Sequence, residues 1–194
     1  MSHAVLLVVL KDGETLTDAM APYYEATEDP VYLQWEDCTE EVRKGAEEKG
    51  ISMDEYNKEF GGYQKKHNKY GYLHNPEATW DWYEIGGRWE DFLKLTKEVK
   101  NPSFVFSSKG GYKEGITHCN ECLREDFDYE GQKEEAKRDH LFYAVLKDGN
   151  WYGRATLGWW GVSKDEVDDW PAREKELLES CDPKDQLILV DYHI

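Results

Sequence analysis

The chain has 194 residues, enough for one well-buried domain carrying an insertion and short for two of ordinary size. Its formal net charge of −17 excludes the basic footprint of direct nucleic-acid binding and leaves plain solubility, attraction of basic partners, or imitation of a polyanion. Hydrophobic residues make up only 39%, but aromatics reach 14% and bury large areas each, so the composition favours folding over disorder.

The N-terminal MSHAVLLVVLKDG lacks a basic leader and a small-residue cleavage site, and no apolar run approaches the ~20 residues of a membrane helix. The expectation is a soluble, cytoplasmic protein with no membrane partner, in which Cys38, Cys119, Cys122 and Cys181 stay thiols. Residues 4–10, AVLLVVL, read as a central strand buried on both faces. A short helix over 15–24 follows, capped by Thr15 or Thr17 and disrupted near Pro22. Val31 to Trp35 forms a second strand, and Thr39 opens a charged helix that ends at Gly50. Ser52 to Lys66 reads as helical, with Tyr56, Phe60 and Tyr63 forming one packing stripe. Residues 96–140 show little periodicity until a charged helix around Tyr129 to Arg138. Then LFYAVLKDG and NWYGRATLGWWG give two strands joined at Asp148-Gly149, a strong hairpin signal. Ser163, with Glu166 in the capping-box position, starts a helix through Leu178 with Pro171 as a kink, and QLILVDYHI closes on a strand.

The outer elements spell β-α-β-β-α-β, which predicts an α+β fold: a ferredoxin-like antiparallel sheet with a large helical and aromatic insertion. The domain assignment is a single domain over 1–194, with core 1–30 and 140–194 and insertion 31–139.

The richest segment is NPEATWDWYEIGGRWEDF, Asn75 to Phe92. On a strand, Trp80 and Trp82 share one face while Asp81 and Tyr83 share the other. Gly86-Gly87 frees the backbone for close approach, and Arg88 offers a bidentate grip on phosphate or carboxylate. If Gly158-Trp159-Trp160-Gly161 meets this segment, then Trp80, Asp81, Trp82, Tyr83, Gly86, Gly87, Arg88, Trp89 and Trp159 line a pocket for a planar, anionic, nucleotide-type ligand. Base stacking contributes ~1–3 kcal/mol per base in such settings. The alternative is that the tryptophans are core and the glycines a bulge.

In the expected sheet the last strand lies antiparallel beside the first, which brings His3 near Asp191 and His193, two imidazoles and a carboxylate suited to a divalent metal. His118, Cys119 and Cys122 carry one CxxC without a second, so structural zinc needs Cys38, Cys181, His74 or His140 from afar; two reduced thiols are the simpler reading. The chain has no P-loop, dinucleotide fingerprint or nucleophile elbow.

The run NPEATWDWYEIGGRW, with SHAVLLVV, GWWG and LVDYHI, resembles a family of small bacteriophage and prophage proteins across nearly the whole chain. The resemblance implies a phage accessory protein in a bacterial host cell and brings no catalytic residues with it. It highlights Asn75, Pro76, Trp80, Asp81, Trp82, Gly86, Gly87, Arg88, Trp89, Trp159, Asp191 and His193. Three functions follow as expectations. The first is an anti-defence protein that sequesters a nucleotide-type ligand. The second is a metal-dependent phosphodiesterase acting on a cyclic nucleotide through His3, Asp191 and His193. The third is an acidic nucleic-acid mimic that binds a host protein; a homo-oligomer is compatible with each.

Overall fold

The structure is a computed structural model and describes residues 2–59, 62–64, 69–157, 163–164 and 166–193. The chain divides into two compact units, Met1–Ala21 with Thr79–Ile194, and Pro22–Ala78.

The larger unit is α+β, built on a mainly antiparallel sheet. Its first strand, His3–Leu10, has no polar alternation and is buried from Ala4 onward, as AVLLVVL requires. The last strand, Gln186–His193, runs antiparallel beside it from His3↔His193 to Leu10↔Gln186. On the other side lies Ala144–Lys147, parallel to the first strand, and then Asn150–Gly153 at the edge. Asp148 (φ 51°) and Gly149 (φ 70°) make the tight turn between them, both at positive φ as a two-residue hairpin loop demands.

This order corrects the ferredoxin-like expectation. A split βαβ unit inserts the second hairpin strand between the two parallel ones. Here the first hairpin strand pairs directly with His3–Leu10. The cause is burial: Ala144–Lys147 is buried at every position, whereas Asn150–Gly153 is at most half-buried and takes the edge.

The far side of the last strand is shared by two short strands from the expected insertion. Glu121–Leu123 pairs with 186–188 and Trp82–Ile85 with 190–193. They change over at Leu189, whose N–H donates to the Asn120 carbonyl (2.8 Å) and whose carbonyl accepts from Gly86 (2.9 Å). Residues 79–139 therefore belong to the sheet unit and are not an appendage.

Helices Tyr129–Ala136 and Trp170–Glu179 contribute Tyr129, Trp170, Leu177 and Leu178 to the core formed with Val5, Leu7, Val9, Leu187 and Leu189. The second helix starts at Trp170 with Asp169 as its cap, while Ser163 lies in a two-residue strand. Pro171 thus occupies the first turn, where its missing N–H costs no helical hydrogen bond. The N-terminal helix, Leu16–Met20, is capped by Thr15, which accepts from Asp18 N–H at 3.1 Å.

In the smaller unit, Gln34–Asp37, Lys69–His74 and Gly62–Gln64 form a three-stranded sheet beside helix Thr39–Lys49, which ends on left-handed Gly50. The helix expected over 52–66 stops at Tyr56, because Asn57 and the Gly61-Gly62 pair are poor helix formers, and Gly62–Gln64 is extended. That breaks the Tyr56–Tyr63 stripe; Phe60 lies outside the described residues. Among the described residues no helix is long and apolar enough to cross a membrane.

A cationic cleft beside the His3–Asp191 pair

Asp191 is 1% exposed on the same sheet face as Leu187 and Leu189. Two groups satisfy its carboxylate: His3 Nδ1 at 2.8 Å from Oδ1, and the Arg88 backbone N–H, which donates to Oδ2 at 3.0 Å. The second bond explains the Gly-Gly pair. Gly86 and Gly87 both have positive φ (74° and 51°), and a Cβ on Gly87 would stand 2.5 Å from Asp191 Cβ and 2.6 Å from its Oδ2. On Gly86 it would stand 2.7 Å from Asn120 Oδ1, which accepts the Asp91 N–H at 2.6 Å. Only glycines let the chain pass this closely over two buried polar side chains.

The register places His193 opposite His3, with ring centroids 5.2 Å apart. His193 Nδ1 lies 2.6 Å from Asp81 Oδ1, and its Nε2 is buried with no hydrogen-bond partner among the described residues. Trp82, 46% exposed, meets the His3 ring edge-on at 6.0 Å.

The aromatic pocket expected from the motif does not assemble as a unit. Trp80 donates its indole N–H to the Met20 carbonyl (3.0 Å) and packs edge-on against Tyr83 (4.9 Å), whereas Asp81 and Trp82 lie with the histidines. The strand begins at Trp82, so two-residue alternation does not extend back to Trp80. The Arg88 side chain is exposed and makes no ion pair among the described residues; its backbone is what the fold uses. Trp159 lies outside the described residues.

His3, Asp191 and His193 do come together. Even so, among the described residues no group of three His, Cys, Asp or Glu side chains is placed to hold a metal ion. Both Asp191 oxygens are occupied, and the Nδ1 atoms of His3 and His193 face Asp191 and Asp81. Cys119 and Cys122 are free, fully buried thiols on the core side of two short strands, and His118 pairs with Glu135 at 3.2 Å. The Cys119 thiol, and then burial, push the Cys122 thiol well above its ordinary value. Both belong to the hydrophobic core.

His3 instead forms one wall of a cleft of about 470 Å³ whose other walls are Trp89, the segment Leu141–Tyr143, Arg138, His140 and Arg154. Parallel pairing builds it. Tyr143 N–H donates to the Val5 carbonyl (2.9 Å), and the Tyr143 carbonyl accepts from Arg154 N–H (2.8 Å). The fully buried carboxylate of Glu174 accepts the N–H groups of Leu141 and Phe142, each at 2.8 Å, and the Tyr129 hydroxyl, also at 2.8 Å. Burial raises the Glu174 carboxyl above its ordinary range, against the pull of those N–H groups, the hydroxyl and His140. Arg138 follows the helix Tyr129–Ala136, its N–H donating to the Lys133 carbonyl (3.2 Å).

The electrostatics of the cleft oppose those of the chain. No Asp or Glu among the described residues lines it. Elsewhere cations pair with carboxylates: Arg43 with Glu40 and Glu47, Lys94 with Glu135, Arg173 with Glu176, Lys184 with Glu125. Arg138 and Arg154 have no carboxylate partner among the described residues, and the Arg154 guanidinium only approaches His140 Nε2 at 3.4 Å. Asp139 holds His140 Nδ1 at 2.7 Å, and the Tyr143 hydroxyl is buried without a partner among the described residues. A second cleft, about 580 Å³, includes His118 and Glu135, which are paired with each other, and Asp91, which accepts from Ser108. Its one lysine, Lys109, has no ion pair among the described residues, but no arginine lines it.

Of the residues singled out from the sequence, Trp89 and His3 line the cationic cleft, and Gly87, Arg88 and Asp191 position His3. Arg138, Tyr143, Arg154 and Glu174 carry no signal of their own in the sequence, and His140 enters there only as a remote candidate for zinc. Their signal lay in topology: once 144–147 pairs in parallel with the first strand, residues 141–143 run beside 3–5 and carry their basic flanks with them. No protein family, curated protein or solved structure matches this chain.

Proposed function

We propose that the cleft recognises a small phosphate-bearing, nucleotide-type ligand. The observation that carries the reading is the pair Arg138 and Arg154, without a carboxylate partner among the described residues, lining one cleft in a chain of net charge −17. Guanidinium groups match phosphate oxygens in geometry, and Trp89 supplies an aromatic wall for a base. The buried Tyr143 hydroxyl adds a donor in need of an acceptor. With the resemblance to phage proteins, this supports an anti-defence role in which a host nucleotide signal is removed from the bacterial cytoplasm. The metal-dependent phosphodiesterase is the weaker reading, because the described residues offer no convergent set of metal donors.

Calorimetry against cyclic mononucleotides, cyclic dinucleotides and ADP-ribose derivatives tests the reading. The expected result is binding tighter than about 100 μM, roughly 5.5 kcal/mol, for at least one ligand, with loss of that binding in Arg138→Ala and Arg154→Ala. Affinity unchanged in both variants would refute this location for the site.

A further inference from the structure

Two histidines line the cleft, and both are oriented in the same way. His3 Nδ1 lies 2.8 Å from Asp191, and His140 Nδ1 lies 2.7 Å from Asp139. An ionised carboxylate only accepts, so it fixes the Nδ1–H form of each ring and leaves Nε2 as the atom that exchanges protons. Arg154 Nη1 approaches His140 Nε2 as a donor, so that nitrogen offers its lone pair. A pair of oriented imidazoles flanked by two guanidiniums exceeds what capture of an anion needs.

We propose that the cleft hydrolyses a phosphodiester without a metal ion, His140 acting as general base and His3 as general acid. The inference rests on the reading of the cleft as a phosphoester site. A water oxygen forms the new bond to phosphorus while His140 Nε2 takes one water proton. The bond from phosphorus to the ester oxygen breaks with its electron pair on that oxygen, which takes the Nε2 proton of His3 acting as the imidazolium, protonated at both ring nitrogens. The products are a phosphomonoester and an alcohol, one molecule when the substrate is a cyclic nucleotide, and solvent restores the two imidazoles. Arg138 and Arg154 hold the non-bridging oxygens, on which a diester carries a single negative charge, so two cations suffice where a more highly charged ester needs more. An alkoxide is a poor leaving group, which is why the acid is required.

The test incubates the full chain with bis(4-nitrophenyl) phosphate and with a 3′,5′-cyclic mononucleotide in excess EDTA, and follows the monoester by phosphorus NMR. Binding is measured in parallel by calorimetry. The proposal expects EDTA-resistant turnover with a bell-shaped pH–rate profile for the cyclic mononucleotide, reduced about 10²–10⁴-fold in His140→Gln with both substrates and in His3→Gln with the cyclic mononucleotide, whose alkoxide needs the acid, while Kd stays within about threefold. Turnover abolished by EDTA overturns it, as does a flat profile of the unmodified protein across about pH 5–8, a readout that does not depend on either variant folding. Binding with no turnover overturns catalysis and leaves recognition standing. Absence of both overturns the recognition reading as well.

Discussion

Replacing Gly87 by alanine tests whether the Gly-Gly pair exists to let the backbone reach Asp191. Residue 87 has φ 51°, and the added Cβ would sit 2.5 Å from Asp191 Cβ, well inside the ~3.5–4.0 Å at which carbon atoms pack. Left-handed backbone costs an L-residue roughly 1–2 kcal/mol, and relieving the overlap breaks the Arg88 N–H bond to a buried carboxylate, about 1–3 kcal/mol more, for a total of about 2–5 kcal/mol. At ~2–4 °C per kcal/mol for a chain of this length, Tm should fall by roughly 4–20 °C. Gly149→Ala is the matched control: φ is 70°, but nothing lies within 4 Å of its Cβ, so it reports backbone strain alone. Both variants are measured by urea unfolding. If the clash is with Asp191, Asp191→Ala should cancel part of the Gly87→Ala loss in a double-mutant cycle. Equal losses at 87 and 149 would refute the reasoning.

Glu174→Ala leaves two backbone N–H groups and the Tyr129 hydroxyl without their buried acceptor and should cost about 3–5 kcal/mol in urea unfolding; a loss under about 1 kcal/mol would show that water replaces it. Burial raises the folded-state value of Glu174, so its contribution is fully present below the unfolded carboxyl value, about 4.3, and is lost as pH rises through the folded value. The stability gap between the unmodified protein and Glu174→Gln should therefore move in favour of the former on acidification from pH 7 to about 4, and a gap independent of pH would contradict this. Arg88→Ala removes an exposed side chain with no ion pair among the described residues and should shift stability by less than about 0.5 kcal/mol and leave nucleotide Kd unchanged, whereas abolished binding would move the site to the exposed face of the motif. Stopped-flow association of a nucleotide should accelerate as salt rises from about 0.01 to 0.15 M, because the net charge of −17 repels the ligand until it is screened; a steep fall would contradict the cleft's setting.

The two central strands and their antiparallel register were legible because AVLLVVL and LILVDY are apolar on both faces, and only a strand between neighbours buries both. The meeting of His3 with Asp191 and His193 followed from that register. Hairpin order was not legible, since Asp148-Gly149 specifies a turn but not which arm faces inward; that depends on burying Ala144–Lys147 against the first strand. The helix start at Trp170 was hidden by a locally good cap at Ser163 that tertiary packing overrides: Trp170 donates its indole N–H to the Phe142 carbonyl at 2.8 Å, which anchors the first turn where it is. The tryptophan motif was over-read as one surface. Its glycines turned out to serve Asp191 and Asn120, its Trp80 serves Met20 and Tyr83, and its Arg88 contributes a backbone N–H. Basic residues at 138 and 154 are unremarkable along the chain and become a pair only across the fold.

An acidic protein with a cationic cleft sorts anions by size. Asp139 and Asp191 stand behind the histidines and orient them, so the cleft itself presents N–H groups without a lining carboxylate among the described residues. A long polyanion must also lie across surface beyond the cleft, on a chain whose acidic residues outnumber its basic ones 41 to 24, and is repelled over a Debye length of about 8 Å at physiological salt. A single nucleotide can enter a space of about 470 Å³ and leave most of that field behind it. On the proposed reading, the charge that opposes binding of a nucleic acid leaves room for its monomers and small cyclic forms, provided the cations inside remain unpaired until the ligand arrives. Arg138 and Arg154 have no carboxylate partner among the described residues.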